Sequence, residues 1–471
     1  MRRHRNAKII ATLGPASADP DMVHALFKAG ADVFRLNLSH GNHAHHTQNI
    51  ATIRELERQV QRPIGILFDL QGPKFRIGSF ASGPIPLTPG DHFRLDLSPE
   101  PGSALRVQLP HPEILDALEI GADLLLNDGN IRLKVVRAAL DFAETEVVVG
   151  GYLSDCKGVN VPGVVIQTSP ITEKDHLDLA FGLQQGVDWI ALSFVQQPGD
   201  IDELRELVGS QAKILAKLEK PSAITNLEPI VERVDAVMVA RGDLGVELPP
   251  EQVPSIQKRI LRVCRQAGRP VVVATQMLES MITSPTPTRA EASDVATAVY
   301  DGADAVMLSA ETAVGKYPIA AVTFMDNIIA QVENDPYYRE VIEAASPVPD
   351  ATNADAICAA LRNVTQILPI AVTVTYTSSG YSTLRAARER PASPLISITP
   401  HQQTARFLTL VWGVHSVIGK DIAKVSQVVK EASNIALANG FARRGQVLVI
   451  AAGMPFGVSG TTNFLRIAWI D

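Results

Sequence analysis

The chain has 471 residues, of which 46% are hydrophobic and 20% charged, and its formal net charge is −7. That length exceeds one hydrophobic core and implies about two to three domains, while the acidic balance excludes a general nucleic-acid surface, which needs a basic face. No apolar run approaches the ~18 residues of a membrane span, and three separated cysteines, Cys156, Cys264 and Cys358, give neither a metal-ligand spacing nor a disulfide framework, so a cytoplasmic protein is expected.

The first residues, MRRHRNAK, are basic and read as a solvated tail, because the apolar run after them is broken at Gly14-Pro15, too early for a secretory signal. From there one phrase recurs. Gly30-Ala31-Asp32 leads into VFRLNLS, Gly186-Val187-Asp188 into WIALSF, Val234-Asp235 into AVMVARGD, and Gly302-Ala303-Asp304 into AVMLSAET. A turn residue and an aspartate, a short apolar run and a polar end describe a buried strand. Similar runs at residues 8–12, 64–69, 213–217 and 271–275 bring the total to eight, and helix-like segments such as DPDMVHALFKAG, DIDELRELVG and PEQVPSIQKRILRVCRQAG lie between them. Alternating strands and helices build a parallel sheet, and eight repeats predict a (β/α)8 TIM barrel over residues 1–70 and 168–345.

The barrel pattern is interrupted at residues 71–167, where turn signals (SGPIP, LTPGD, LNDGN) separate alternating runs (HFRLDL, IRLKVV, TEVVVG). This predicts a small inserted all-β domain. After ASPVPDATN, residues 346–471 hold strand-like IAVTVTY, PLISIT and QVLVIAA and a helical run, DIAKVSQVVKEASNIALANG, which predict a separate α/β domain.

Barrel enzymes place their chemistry at the C-terminal ends of the strands. Here those ends carry Arg35, Asn37, Ser39 and His40, then Asp69, Lys217 with Glu219, Arg241-Gly242-Asp243, Thr275, and Ser309 with Glu311. Residues i and i+2 of a strand share a face, so Lys217 and Glu219 can share one site, as can Arg35, Asn37 and Ser39 if their strand stays regular. Glu219 and Asp243 are hard oxygen ligands suited to Mg2+, and a lysine beside them can stabilise a developing oxyanion. Taken singly, Lys-x-Glu is usually a surface pair and ARGDLG a turn; their joint placement favours a site for anion and metal. The GKY at residues 315–317 lacks the rest of a Walker sequence, and the histidine-rich HGNHAHH has no acid or cysteine to support zinc, so it reads as a solvated loop.

The motifs AKIIATLGPAS, FRLNLSHG, GVNVPG, AKLEK, MVARGDLGVELP, the long run over residues 274–312 and GKYP together resemble pyruvate kinase over essentially the whole chain. The resemblance implies transfer of the phosphoryl group of phosphoenolpyruvate to ADP, giving pyruvate and ATP. It implies Mg2+ (or Mn2+) held by Glu219 and Asp243, with Arg35 on the transferring phosphate and Lys217 on the phosphoryl group and enolate oxygen. Gly242 and Asp243 would receive the substrate carboxylate and Thr275 would lie near the enolate carbon, with Ser309 and Glu311 also on the substrate side. Asn37, His40, Arg76 and Lys157 would lie toward the nucleotide, under the inserted domain acting as a lid. A homotetramer is the family's usual assembly. The alternative is another Mg2+-dependent barrel enzyme of pyruvate enolate chemistry, an aldolase or lyase, which needs no nucleotide lid; a non-catalytic relative would lack Lys217, Glu219, Asp243 or Thr275.

The segment DLQGPKFRIG departs from many members of that family. Leu70 stands where they have threonine, and Lys74 where they have a glutamate beside a K+ site formed by the groups matching Asn37, Ser39, Asp69 and the carbonyl of residue 70. A lysine ammonium there is expected to replace K+, making the enzyme K+-independent. In the C-terminal region, TYTSSGYSTLRAARERP places Thr377, Ser378, Ser379 and Ser382 at a strand-to-helix loop. The resemblance puts a sugar-phosphate effector there, with GMPFGVSGTTN closing the pocket; an ordinary capped loop is the competing reading.

Overall fold

In a computed structural model that describes residues 2–470 apart from 165, 167, 423, 457 and 459, eight parallel strands close into a barrel. In chain order they are Lys8–Leu13, Val33–Asn37, Gly65–Asp69, Trp189–Leu192, Lys213–Leu218, Ala236–Ala240, Val271–Ala274 and Ala305–Leu308, and the last pairs with the first. Most of their residues are buried, which is why they read as continuous apolar runs rather than alternating ones.

The aspartates that precede four of these strands share one task. Asp32, Asp188, Asp235 and Asp304 each accept a hydrogen bond from the backbone N–H of a residue in the adjacent strand, Ile9 (3.1 Å), Ile66 (2.8 Å), Ile214 (2.9 Å) and Val271 (3.0 Å). Each also pairs with an arginine: Arg5, Arg54, Arg205 and Arg390, at 2.8, 2.7, 2.8 and 3.0 Å. The recurrent aspartate thus closes orphan donors at the lower rim of the barrel, which would otherwise be buried unsatisfied.

The basic start is not a solvated tail. Arg3 and Arg5 converge on Asp32 with Arg62, and the Arg5 side chain is only 1% exposed. The buried acid supplies the counter-charge that makes burial of these guanidiniums tolerable. Lys8 is buried nearby and donates to the Val414 carbonyl at 2.9 Å. Burial, reinforced by Arg62 and Arg5 against the pull of Asp32, pushes its pKa down to about 7. The unfolded chain keeps that proton up to its ordinary value of 10.5, so between these limits the unfolded state binds more protons and stability rises with pH. Lys8→Met is therefore expected to stabilise the protein most at or below pH 7, relative to wild type. The advantage should shrink by up to about 1.4 kcal/mol per pH unit above that, as read from urea unfolding at pH 7 and pH 9.

The insertion holds two sheets, a six-stranded one built around Ile131–Ala139 and Phe142–Val149, and a two-stranded one, with its own apolar core including Phe93, Leu124 and Leu133. This is a β half-barrel lid set into the barrel after its third strand. The expected boundary at residue 167 lies outside the described residues. Both crossing segments are tied to one buried side chain: Asp175 accepts from the N–H of Gln71 (2.9 Å) and Gly72 (3.2 Å) on one side and of Thr172 (3.0 Å) on the other.

The C-terminal region is a five-stranded α/β sheet with only its last strand, Thr462–Trp469, antiparallel. Its expected helix begins at Val425 rather than at Asp421. Arg390 joins this domain to the barrel, pairing with Asp304 and stacking 4.6 Å from the Trp412 ring. Among the described residues no helix is long and apolar enough to cross a membrane.

Candidate active site

The C-terminal strand ends bring a buried charge network together. Lys217, on the fifth strand, and Glu219, directly after its end, do come together: the ammonium lies 2.8 Å from Glu219 Oε1 and 3.5 Å from Asp69 Oδ1. It also donates to Ser193 Oγ at 2.8 Å, and Ser193 Oγ donates to the Leu70 carbonyl at 2.8 Å. Arg35 pairs with Asp69 Oδ2 at 2.7 Å and donates to Thr12 Oγ1 at 3.1 Å. Burial opposes the charge on Lys217, but Asp69 and Glu219 outweigh it and hold the ammonium above the ordinary lysine range. Asp69, likewise buried, is kept below the carboxylate range by Lys217 and Arg35.

Glu219 is fully buried, and its other oxygen accepts from the Phe194 N–H at 2.8 Å. Its Oε1 is near Lys217 but outside hydrogen-bonding geometry, an acceptor without a donor. Burial raises its pKa, and the nearby Asp243 carboxylate adds to the rise against Lys217. Two carboxylates that repel each other, one with an unused oxygen, fit a divalent cation. Among the described residues no group of three or more His, Cys, Asp or Glu side chains could hold a metal, so the remaining ligands would come from substrate and water.

Gly242 and Asp243 open the short helix Arg241–Glu247 after the sixth strand. A Cβ on Gly242 would meet Thr275 Cγ2 at 2.7 Å, so only glycine allows this approach. Thr275 and Gln276 have φ of 75° and 57°, a left-handed backbone that non-glycine residues rarely adopt. Arg241 holds it in place, donating to the carbonyls of Ala274 (3.2 Å) and Thr275 (2.7 Å); its role is to shape the strand-end turn.

Between lid and barrel lies a cleft of about 450 Å3 whose walls include Lys74, Arg76, Lys157, Lys220 and Asp243. Arg76 and Gly158 form a backbone bridge, which sets Arg76 beside Lys157. Lys74 is half-buried; burial lowers its pKa, with repulsion from Arg76 and Lys217 adding to the effect and Asp243 and Asp69 opposing it.

Other expected residues sit elsewhere. The second strand stops at Asn37, whose Oδ1 accepts from the Ser39 N–H at 3.1 Å, so Ser39 belongs to the turn and does not continue the face of Arg35. Asn37 and His40 are not on the walls of the cleft. Glu311 is buried and accepts from the N–H of Leu278 (3.1 Å) and Ser309 (2.7 Å), fastening the loops after the last two strands to each other. Thr377 Oγ1 accepts from Gly380 N–H at 2.9 Å and Ser382 Oγ pairs with Thr462 Oγ1 at 2.7 Å, both inside the C-terminal domain, while Ser378 is half-exposed and Ser379 exposed. Residues 457 and 459 of the loop GMPFGVSGTTN lie outside the described residues. Sequence reasoning missed Thr12, Ser193 and Lys220. The signal was available, since Thr12 closes the apolar run over residues 8–12, Ser193 directly follows the fourth strand and Lys220 directly follows Glu219.

A closed parallel barrel with a buried lysine–carboxylate network at its strand ends, under a β lid lined with cations, defines an enzyme that acts on small anionic substrates. Residues 4–322 match the family "Pyruvate kinase, barrel domain" and residues 355–468 match "Pyruvate kinase, alpha/beta domain". A pyruvate kinase of Methylorubrum extorquens is 51% identical over 470 residues, covering 100% of this chain and 98% of that protein. One from Geobacillus stearothermophilus is 40% identical, covering 98% of this chain and 80% of its own. The crystal structure of a pyruvate kinase from Cryptosporidium parvum superposes with a TM-score of 0.93 at 32% identity, covering 99% of this chain and 97% of that one. The chain belongs to the pyruvate kinase family.

Proposed function

We propose that the chain runs its family's reaction, phosphoryl transfer from phosphoenolpyruvate to ADP giving pyruvate and ATP, with the Lys74 ammonium in place of a bound K+. The observation that carries this reading is the place of Lys74 on the cleft wall. Half-buried, it lines the cleft together with Asp243, and Asp243 and Asp69 favour its charge against burial and the repulsion of Arg76 and Lys217; both support a side chain directed inward.

Within that reading, Arg35 binds the phosphoryl group in transit and Lys217 stabilises it and the enolate oxygen it leaves. Glu219 and Asp243 would hold Mg2+ or Mn2+, which when bound supplies positive charge to the oxygens of two mutually repelling polyanions. Gly242 and Asp243 receive the substrate carboxylate, and Thr275 lies beside the enolate carbon. Arg76 and Lys157, on the walls of the cleft, hold the nucleotide phosphates under the lid, Asn37 and His40 belong to the nucleotide side, and Ser309 and Glu311 to the substrate side. The test is pyruvate formation with Mg2+ in K+-free buffer balanced by tetramethylammonium. The rate is expected to stay within about twofold when K+ is added; a large stimulation would overturn the K+ reading.

We further propose that Ser378 and Ser379 receive a sugar phosphate on the loop shaped by Thr377 and Ser382, supported by their exposure at the head of the helix Tyr381–Arg388. A shift of phosphoenolpyruvate saturation by sugar phosphates would support it, and no shift with any of them would remove it. A homotetramer is supported by the open sheet edge, where Trp469 is 68% and Ile467 44% exposed, and light scattering gives the mass directly.

A further inference from the structure

Away from its two hinge segments, the lid touches the barrel through a buried carboxylate. Asn160, on the short lid strand Val159–Asn160, donates from Nδ2 to Glu247 Oε1 at 2.9 Å. The same oxygen receives the Lys220 ammonium at 2.5 Å. The Glu247 side chain is 1% exposed and that of Lys220 11%, and Glu247 Oε2 has no partner. Both ends of this triad adjoin the chemistry. Lys220 follows Glu219 in the chain and lies 5.8 Å from the Phe194 ring, whose own N–H holds Glu219. Glu247 is the last residue of the helix whose first turn carries Gly242 and Asp243. The lid turn at Gly129 packs on the same helix, with Val246 3.6 Å from the position of an added Cβ.

We propose that Glu247 is the catch of the lid: it accepts the Asn160 amide when the lid lies down, with Lys220 as its fixed counter-charge. Asn160 and Glu247 are then positioning residues for phosphoryl transfer. Seating the lid and setting Asp243 on its helix become one event, because one rigid two-turn element joins them. A buried carboxylate is suited to this task. Lys220 pairs with it, and its second oxygen, left without a donor, makes the loss of the amide costly. This rests on the nucleotide occupying the cleft under the lid.

The test uses three variants of the full-length enzyme. Asn160→Asp sets a carboxylate against Glu247 and is expected to raise KM for ADP about tenfold, with KM for phosphoenolpyruvate changed less than about twofold. Asn160→Asp combined with Glu247→Gln reverses the polarity of the bond, since the new amide donates to the new carboxylate. It should return KM for ADP to within about threefold of wild type, a rescue that a merely structural defect would not show. Lys157→Ala reports the nucleotide reading by itself. If Lys157→Ala raises KM for ADP and Asn160→Asp does not, or if the double variant is no better than the single, the catch is overturned. If neither Lys157→Ala nor Asn160→Asp changes KM for ADP, the nucleotide placement falls and the catch with it.

Discussion

Replacing Lys217 with methionine is expected to lower kcat by about a hundredfold to a thousandfold, the usual cost of removing one preorganised group from a developing oxyanion. The ammonium lies between Asp69 and Glu219 and is held by Ser193, so its position is set before any substrate arrives. Methionine keeps the length and apolar stem of the side chain but leaves two buried carboxylates short of a counter-charge. Arg35 still compensates Asp69, while Glu219 loses its neighbour, and a destabilisation of about 3 kcal/mol accompanies the kinetic loss. KM for ADP should change little, because the cations lining the cleft, Arg76 and Lys157, are separate from this network. Arginine at this position is not a rescue, since a planar fork does not fit a pocket shaped for a point charge. Steady-state kinetics together with a thermal melt separate the two effects, and a kcat within fivefold of wild type would remove Lys217 from the reacting centre.

Lys74→Glu is expected to create a requirement for K+. The substitution changes the charge on the cleft wall by two units beside Asp243 and Asp69, the acids that act on Lys74 in the native protein. Unbalanced, this opposes binding of two polyanions by on the order of 1–3 kcal/mol per interaction at an effective dielectric near 20, or about tenfold or more in kcat/KM. A monovalent cation bound among Asn37, Ser39, Asp69 and the Leu70 carbonyl would restore the balance. The variant should therefore be slow in tetramethylammonium and recover in K+. Lys74→Met separates loss of a cation from gain of an anion and should fall between the two. Equal activity of Lys74→Glu with and without K+ would show that residue 74 has no part in the charge balance of the site.

The barrel was legible because its strands are buried on both faces and because a turn residue and aspartate announce several of them. What no local pattern discloses is why the aspartate recurs, since its partner N–H belongs to a different strand: Asp304 serves Val271, 33 residues earlier. The basic start was misread for the same reason. Arg5 looks solvated until Asp32, 27 residues on, is placed against it. At the site, residues two apart at one strand end were legible, as Lys217 and Glu219 show. The contact of Asn160 with Glu247 spans 87 residues and two domains, and neither residue carries a signal by itself. Ser39 was placed with Arg35 on an assumed regular strand, but the Asn37 side chain turns the chain first.

The claim that an ammonium stands in for a monovalent metal is tested most directly by anomalous diffraction from crystals of the wild-type enzyme grown with Rb+, Mg2+ and phosphoenolpyruvate. The account predicts no Rb+ peak among Asn37, Ser39, Asp69 and Leu70, with Lys74 directed toward that position, and a peak there in Lys74→Glu. A strong Rb+ peak at that place in the wild type, with Lys74 turned to solvent, would contradict it.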